Sequence, residues 1–261
     1  MARFCSLFSS SSGNCTYLGS ADGGVLIDAG VSAKQISLGL NGIGVDEKSI
    51  NAIFITHEHS DHVKGLRVFA SRHNIPVYAT PGTLRELEKL GIINGKFPVA
   101  EIDGEINCCD LLVKPFHTSH DVAESCGYSV TTSDDRKLCI ATDTGIVTEE
   151  MREALTGSDL VLIESNHDVG MLRNGDYPYT LKRRILSDKG HLSNLACSEF
   201  ITELIESGTT RFTLGHLSKE NNIPALAYRT SQSALECIGA VENKDYILKV
   251  AGNGTPEMVV L

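Results

Sequence analysis

Five short apolar runs, each followed closely by a polar residue, constrain the fold of this chain more than any other feature of its sequence. The runs lie at residues 25–27, 52–55, 138–141, 160–163 and 212–214. No polar face interrupts them, which is typical of strands covered on both sides. If such strands lie in packed sheets with similar orientation, the polar residues after them gather along one edge, where a ligand site is expected. These residues are Asp28, His57, Asp143, Glu164 and His216.

Helical patterns separate these strands. We expect helices near residues 63–73, 81–90, 149–155, 193–207 and 224–238. Proline suits the first turn of two of these segments, and glycine follows the ends of three, as helix termini prefer. Between positions 99 and 138 the pattern is instead strand and turn, with apolar runs at 111–113 and 128–130. The sequence therefore predicts a mixed α/β fold with two sheets between helical layers.

Length and composition predict one globular domain, residues 1–261, because a chain of this size can bury a sizeable core. We recognise no secretory signal and no apolar run of membrane-spanning length. The eight cysteines are scattered without a Cys-x-x-Cys pair, which favours a reducing cytoplasm over a disulfide scaffold or a thiolate zinc site. A net charge of −10 disfavours a generally basic, nucleic-acid-coating surface but allows local basic patches.

The segment Thr56-His57-Glu58-His59-Ser60-Asp61-His62 follows one of the predicted strands and concentrates metal-binding side chains. In extended chain His57 and His59 project to the same side, whereas the last two residues enter the next turn. One segment can thus offer two imidazoles to one metal ion and a carboxylate plus an imidazole to a second. Because a hydrolytic zinc site keeps about three protein ligands, further ligands are needed. The candidates after strand-like segments are His120, Asp143 and His216.

The motif HEHSDH, a later histidine, then TDTG and GHLS resemble the metallo-β-lactamase superfamily over nearly the whole chain. The resemblance implies a four-layer αβ/βα sandwich. It implies a first metal ion held by His57, His59 and His120, and a second held by Asp61, His62 and His216, with Asp143 bridging. Asp28, in the segment LIDAG, matches the early aspartate that supports the ligands in this superfamily.

The implied cofactors are two divalent metal ions, with Zn and Mn as the first choices and Fe or Mg also compatible with such ligands. A water held between two cations loses a proton near neutral pH and can attack phosphorus or a carbonyl carbon as hydroxide. Asp61 would orient that hydroxide. For His117 a direct role at the metal ions is as open as a position behind the ligands or at the surface. His167 would either support the ligands or line the cleft.

The residues at a few single positions distinguish between the branches of the superfamily. Exported zinc β-lactamases have cysteine where Asp143 stands, and diiron flavoproteins usually have glutamate at the position of His59, so both branches are disfavoured. Thioesterases of the glyoxalase II type keep a similar ligand set. The segment Gly190-His191-Leu192-Ser193 resembles the end of tRNase Z-like phosphodiesterases. By that resemblance His191 donates a proton to the departing oxygen, assisted by Glu164.

Residues 8–15, 118–121, 164–168 and 177–194 resemble the bacterial WalJ/YycJ group more closely. That resemblance implies a cytoplasmic nuclease, a 5′ to 3′ exonuclease acting on DNA, with no membrane partner. The basic run at 182–184 would contact backbone phosphates, although a solvated helix face is the more common explanation of such a charge run. The serine-rich loop before Gly13 would either offer polar groups to phosphate or be a flexible loop, and the two explanations are equally open. The residues assigned to substrate are Ser12, Asn14, Lys182, Arg183 and Arg184.

Two other functions stay open at this point. One is a hydrolase of small molecules, either a thioesterase or a phosphodiesterase acting on small or cyclic esters. The other is a non-catalytic regulatory protein with an inherited fold. A long open cleft would favour a polymer, whereas a closed pocket would favour a metabolite.

Overall fold

The computed structural model describes residues 1–252 and 255–261, and fourteen strands are found in them. The first half of the chain supplies β1 (Arg3–Phe8), β2 (Cys15–Gly19), β3 (Gly24–Ile27), β4 (Ile50–Phe54), β5 (Val77–Ala79) and β6 (Val99–Glu101). The second half supplies β7 (Ile106–Cys108), β8 (Leu111–His117), β9 (Cys126–Thr132), β10 (Lys137–Ala141), β11 (Leu160–Glu164), β12 (Arg211–Gly215), β13 (Ile247–Val250) and β14 (Val259–Val260).

The helices of the described residues lie mostly between strands. They are α1 (Ala33–Gly42), α2 (Ser60–Val63), α3 (Leu66–His73), α4 (Pro81–Lys89), α5 (Glu149–Leu155), α6 (Val169–Asn174), α7 (Tyr179–Ile185), α8 (Asn194–Glu206) and α9 (Pro224–Cys237). A 3₁₀ turn at Glu47–Ser49 precedes β4. Within these residues no helix is both long enough and apolar enough to cross a lipid bilayer.

Two mixed seven-stranded sheets divide the chain. The first has the order β14-β1-β2-β3-β4-β5-β6, and the second has the order β13-β12-β11-β10-β9-β8-β7. In the first sheet β3 to β6 are parallel, and in the second β10 to β13 are parallel. Because the carboxyl ends of parallel strands share one edge, the residues after β3, β4, β10, β11 and β12 are brought to the same end of the molecule.

Successive side chains along each strand point to opposite faces of the sheet, and the buried apolar side chains form three layers. Val25 and Ile27 face the other sheet, whereas Leu26 between them packs against the helices on the outer side. In the second sheet Leu162 faces the shared inter-sheet core, and Val161 packs against α5, α8 and α9. A strand buried on both faces needs no polar alternation, which explains the apolar runs. The layers form the predicted αβ/βα sandwich, and the fold class is confirmed.

The five apolar runs and the helices predicted at 81–90, 149–155, 193–207 and 224–238 are confirmed within about a residue or two. The predicted helix at 63–73 is instead divided into α2 and α3. Gly65 lies at the break, where a Cβ atom would meet the carbonyl oxygen of Val31 at 2.1 Å. The chain therefore bends there because its backbone packs directly against the loop after β3.

Candidate active site

Three residues at strand ends adopt backbone conformations that non-glycine residues rarely take. Asp28, Asp143 and His216 follow β3, β10 and β12 closely and have φ angles of 63°, 55° and 55°. A left-handed residue of this kind costs on the order of 1 kcal/mol and persists where the surrounding structure enforces it. These turns converge, because His62 lies 2.8 Å from Asp28 and 3.3 Å from Asp143.

His57, His59 and His120 form one group of nitrogen donors. Nε2 of His57 lies 3.1 Å from Nδ1 of His59, and the donor atoms of all three lie within 4.8 Å of one another. Two nitrogens bound to one tetrahedral zinc ion lie about 3.3 Å apart, so the spacing suits a shared ion. The other ring nitrogens of His57 and His120 are occupied, since Nδ1 of His57 contacts the Thr56 hydroxyl at 3.0 Å and Nδ1 of His120 donates to the carbonyl of Gly190 at 3.0 Å.

Asp61, His62 and His216 form a second group. Oδ2 of Asp61 lies 3.6 Å from Nε2 of His62 and 3.6 Å from Nε2 of His216. Nδ1 of His62 donates to Asp28 at 2.8 Å, and Nδ1 of His216 donates to Glu164 at 2.7 Å. A partner on one ring nitrogen fixes the tautomer and leaves the other nitrogen as an acceptor. Both Nε2 atoms are thereby directed toward the Asp61 carboxylate, and Nε2 of His62 also lies 3.0 Å from the Asn14 amide nitrogen.

Asp143 lies between the two groups. Its Oδ2 atom is 3.3 Å from Nε2 of His62, and its Oδ1 atom is 3.9 Å from Nε2 of His120. Oδ1 also lies 3.6 Å from Nδ1 of His216, so the carboxylate is close to histidines of both groups. This placement suits the bridging position that the resemblance implied.

Asp28 and Thr56 hold the histidines from behind. Oδ1 of Asp28 accepts from the backbone N–H of Thr56 at 2.9 Å, and Oδ2 accepts from the Thr56 hydroxyl at 2.9 Å. Because that hydroxyl donates to Asp28, it is free to accept from Nδ1 of His57. One buried carboxylate thus orients a ring in each group, His57 through Thr56 and His62 directly.

Glu164 plays the corresponding part in the second sheet. Its Oε1 atom accepts from Nδ1 of His191 at 2.8 Å and from Nδ1 of His216 at 2.7 Å. Its other oxygen accepts backbone N–H groups from Thr144 and Leu192. Glu164 was predicted to be a catalytic residue. Its side chain is completely buried, so it cannot contact a substrate, and the geometry makes it a positioning residue for two histidines.

Unpaired buried atoms test whether these residues suit metal ions. Nε2 of His120, Oδ2 of Asp143 and Nε2 of His216 have no hydrogen-bond partner among the described residues. A buried unsatisfied polar atom costs about 1–3 kcal/mol, and these three face the middle of the two groups. Imidazole and carboxylate ligands suit several divalent transition metals. The donor set therefore fits divalent metal ions.

The charges in the cluster agree with this assignment. Burial lowers the pKa of His57 well below its ordinary value, which keeps the ring in the neutral form that binds metals. Burial acts in the same direction at His62, but Asp28 and Asp143 outweigh it and raise the pKa of His62 to about 10. The pKa of His216 is raised as well, because Asp143 outweighs burial. The field that favours a proton on these rings equally favours a metal cation beside them.

An open cleft with about 890 Å³ of space lies over the cluster. The site residues that line it are His59, Asp61, Asp143, His191 and His216, and its walls include Ser11, Tyr177, Leu181, Arg184 and Ile185. His191 is partly exposed there, while its Nδ1 atom is held by Glu164. The pKa of His191 is raised, because the Glu164 carboxylate outweighs the effect of burial. His191 can therefore carry a proton at the cleft surface.

The basic run at 182–184 is divided by the structure. Only Arg184 lines the cleft, where its Nη2 atom donates to Asp121 at 2.7 Å. The ammonium of Lys182 donates to the carbonyl groups of Arg173 and Gly175. Arg183 is exposed, and its guanidinium lies 6.0 Å from the centre of the Tyr179 ring. The three residues thus have different surroundings although they are consecutive.

The two residues of the serine-rich loop that were predicted to contact substrate also have different surroundings. Ser12 is exposed at the loop tip, whereas Asn14 is buried. Nδ2 of Asn14 lies 3.0 Å from Nε2 of His62, and its Oδ1 atom accepts the backbone N–H of Ser10. Asn14 therefore faces the second group of ligand candidates. Ser11, immediately before Ser12, is the residue of this loop that lines the cleft.

His117 and His167, the two histidines predicted to support the ligands, lie apart from both groups of donors. His117 is exposed at the end of β8, and its backbone N–H donates to Glu150. His167 is buried in the loop after β11, and neither ring nitrogen has a partner among the described residues. Burial lowers the pKa of His167, and the charges of Glu164 and His191 act on it as well.

Sequence reasoning missed several residues of the site. Thr56 immediately precedes the histidine motif, and Asp121 immediately follows His120. Their position next to a ligand candidate in the sequence could have indicated that they belong to the site. Tyr177 lies five residues before the basic run, within a segment that was already singled out. No motif of the sequence distinguishes these side chains from ordinary surface residues, and only the three-dimensional contacts show what they do.

Comparison with known proteins agrees with the fold. Residues 24–216 match the family described as the beta-lactamase superfamily domain, and the chain belongs to this metallo-β-lactamase superfamily. The metallo-β-lactamase fold protein YhfI from Bacillus subtilis has a TM-score of 0.74 to this chain, with 14% identity and 99% of both chains covered. At that identity the likeness confirms the fold alone.

Within the superfamily, the chain belongs with two bacterial relatives. Exodeoxyribonuclease YycJ of Bacillus anthracis is 37% identical over 236 residues, which are 90% of this chain and 89% of that protein. Exodeoxyribonuclease WalJ of Streptococcus pneumoniae is 38% identical over 237 residues, 89% of this chain and 88% of that protein. The predicted resemblance to this group is confirmed.

Proposed function

We propose that this protein is a metal-dependent DNA exonuclease that cleaves phosphodiester bonds at a site of two divalent metal ions. The observation that carries the proposal is the pair of donor groups, His57/His59/His120 and Asp61/His62/His216, with the Asp143 carboxylate within 4 Å of histidines from both. Zn or Mn would occupy them. When bound, such ions supply Lewis acidity toward a phosphate oxygen and lower the pKa of a water molecule.

The residues of the chain complete this chemistry. Asp61 lies in the cleft with its pKa lowered, since His216 and His62 outweigh burial, so it is ionised and can accept a hydrogen bond from an attacking water. His191 holds a proton at the opposite side of the cluster, and Glu164 fixes the ring through Nδ1. Its Nε2 atom can donate that proton to the departing oxygen, a transfer worth about 10²- to 10⁴-fold in rate.

Two observations favour DNA over a small ester. The related proteins YycJ and WalJ are exodeoxyribonucleases that align over nearly the whole chain. The cleft is open, and its wall carries the guanidinium cation of Arg184, whose Nε and Nη2 atoms are held by Asp121; such a cation attracts backbone phosphates. We further propose cytoplasmic DNA as the substrate and 5′ to 3′ as the polarity of degradation, in line with the group that the sequence resembles.

The proposal is tested with purified protein, single- and double-stranded DNA labelled at either the 5′ or the 3′ end, and Mn²⁺, Mg²⁺ or Zn²⁺. We expect degradation that depends on the metal and releases the 5′ label first as short products. Equal degradation by wild type and His59→Ala would sink the proposal. Hydrolysis of a thioester with no effect on DNA would assign the site to the small-molecule alternative.

Two variants separate metal binding from proton transfer. His59→Ala should lose metal, measured by elemental analysis after desalting, together with activity. His191→Ala should retain the metal content of wild type and slow turnover by about 10²-fold or more. Loss of metal from His191→Ala would instead make His191 a ligand.

A further inference from the structure

Tyr179 is unusual among the aromatic residues of this protein. The chain has seven tyrosines, eight phenylalanines and no tryptophan. All fifteen lie in the described residues, and Tyr179 is the one exposed aromatic side chain among them, with 75% of its surface accessible. Isolated exposed apolar residues are common, but exposed tyrosine in contact with arginine is typical of binding surfaces. Here the Arg183 guanidinium lies 6.0 Å from the ring centre.

The segment that carries Tyr179 is firmly held. Residues 169–190, which we call the basic arm, contain α6 and α7. The Asp168 side chain caps α6 by accepting from Met171 N at 2.7 Å, and Lys182 ties α7 to the turn after α6 through two carbonyl groups. Arg184 ties α7 to Asp121. Tyr179 and Arg183 therefore project from a fixed support, so little backbone freedom is lost when a ligand binds them.

The charge of the basic arm is opposite to that of the remaining chain. The arm has five lysine or arginine residues and two aspartates, whereas the other residues have 18 basic and 31 acidic side chains. Nucleic acid is attracted to such a local basic surface even when the protein as a whole is acidic. The arm is thus the part of the surface near the cleft that is suited to a polyanion.

The arm is continuous with the catalytic cleft. Tyr177, Leu181 and Arg184 of this segment line the cleft. Tyr179 and Arg183, four residues apart, share the other face of α7, because side chains four apart lie on one side of a helix. A helix is about 10 Å across, so a strand leaving the cleft over α7 would meet Tyr179 a few nucleotides from the metal ions.

We propose that Tyr179 and Arg183 form a stacking platform for single-stranded DNA, on which an unpaired base rests a few nucleotides from the bond that is cleaved. This inference rests on the proposed function and names the form of DNA that the site takes. Aromatic rings stack on any base, and arginine adds attraction to the phosphates and rings, so the platform binds without sequence preference. A base in a duplex is already stacked and cannot use it.

Affinity measured on uncleaved DNA tests the platform. The probes are fluorescein-labelled, phosphorothioate-linked oligothymidines of two, six and twelve nucleotides, and a blunt twelve-base-pair duplex, titrated with the metal-loaded protein by fluorescence anisotropy. We expect Tyr179→Ala to bind the six- and twelve-nucleotide probes about tenfold more weakly than wild type, the loss of one stacked base, and Tyr179→Phe to bind like wild type. Arg183→Ala should lower the salt dependence of affinity by roughly 0.7 on a logarithmic scale.

Leu38→Ala is the matched control, since Leu38 is 60% exposed on α1, in the helical layer of the other sheet. It should bind every probe like wild type. Unchanged affinity of Tyr179→Ala for the longer probes, or an equal loss on the duplex, would overturn the platform. If the platform variants behave as expected while wild type degrades no DNA, the proposed nuclease function fails and the binding inference stands.

Discussion

At the scale of single residues, the site is organised by side chains that never meet a substrate. Glu164 holds His191 and His216 through one oxygen, and Asp28 holds His62 directly and His57 through Thr56. An imidazole with one nitrogen occupied presents the other in a fixed direction. The accuracy of the metal centre therefore depends on buried partners as much as on the ligands.

His167 is predicted to make stability depend on pH. Burial lowers the pKa of His167 to about 4 in the folded protein. In the unfolded chain this histidine is protonated below about pH 6.5, whereas in the folded protein it stays neutral down to about pH 4. The contribution of neutral His167 to the free energy of unfolding is fully present above pH 6.5 and is lost as the pH falls from 6.5 to 4. Between pH 7.5 and 5 wild type should lose about 2 kcal/mol more stability than His167→Gln.

The measurement is urea unfolding of both proteins at several pH values in EDTA, so that metal binding does not contribute. Because only the difference between the two proteins is interpreted, the titration of the other histidines cancels. Parallel pH profiles would show that His167 is not held neutral in the folded protein.

Much of the site could be predicted at this scale, and the reason is local. His57, His59, Asp61 and His62 lie within one short segment, and so dense a run of ligand residues is rare outside metal sites. The different surroundings of Lys182, Arg183 and Arg184 could not be predicted, because neighbours on a helix point in different directions and their partners, such as Asp121, are distant in sequence. Asn14 was assigned to substrate on the same local grounds, whereas its amide faces His62.

At the scale of elements, the apolar strands were predictable because burial on both faces leaves a continuous signal. The short helices α6 and α7 were not. Helices of six or seven residues have little stability of their own, and here they depend on the Asp168 cap and on the contacts of Lys182. Such contacts link residues that a periodic pattern does not connect.

The break between α2 and α3 yields a prediction at this scale. Gly65→Ala places a Cβ atom against the backbone of Val31 and Ala33, at 2.1 and 3.0 Å, and backbone atoms cannot move aside as a flexible side chain can. We expect a loss of about 1–3 kcal/mol in the free energy of unfolding, measured in urea, and weaker metal retention because α2 carries Asp61 and His62.

Gly42→Ala is the control for this change. Gly42 is the last residue of α1, and the space around its missing Cβ is open. Alanine there should be neutral or slightly stabilising. Equal stability of the two variants would mean that the close approach at Gly65 does not constrain the fold.

At the scale of the whole molecule, the site joins the two sheets. His57, His59, Asp61 and His62 follow β4 of the first sheet, whereas His120, Asp143 and His216 follow strands of the second. Each proposed metal site takes ligands from both. The superfamily and this layered fold were predictable from the order of motifs, but the pairing of β14 with β1 was not, because a two-residue strand leaves no pattern.

We predict that residues 1–261 unfold as a single domain and that metal binding stabilises it. The inter-sheet core is shared by both halves, so neither sheet keeps its inner face covered alone. In EDTA, tyrosine fluorescence and far-UV circular dichroism should report one coincident thermal transition. Metal at 100 times its dissociation constant should add about 2.7 kcal/mol per site, raising the transition temperature of wild type more than that of His59→Ala. Two separate transitions would contradict a single domain.

At the left-handed residues of the strand ends, the requirements of stability and of activity conflict. Asp28, Asp143 and His216 each keep an unfavourable φ angle so that a carboxylate or imidazole reaches the cluster. Glycine would relax the backbone at any of the three, yet it would remove the group for which the turn is bent. Selection for higher stability therefore favours glycine at these three positions, whereas selection for activity favours the aspartates and the histidine.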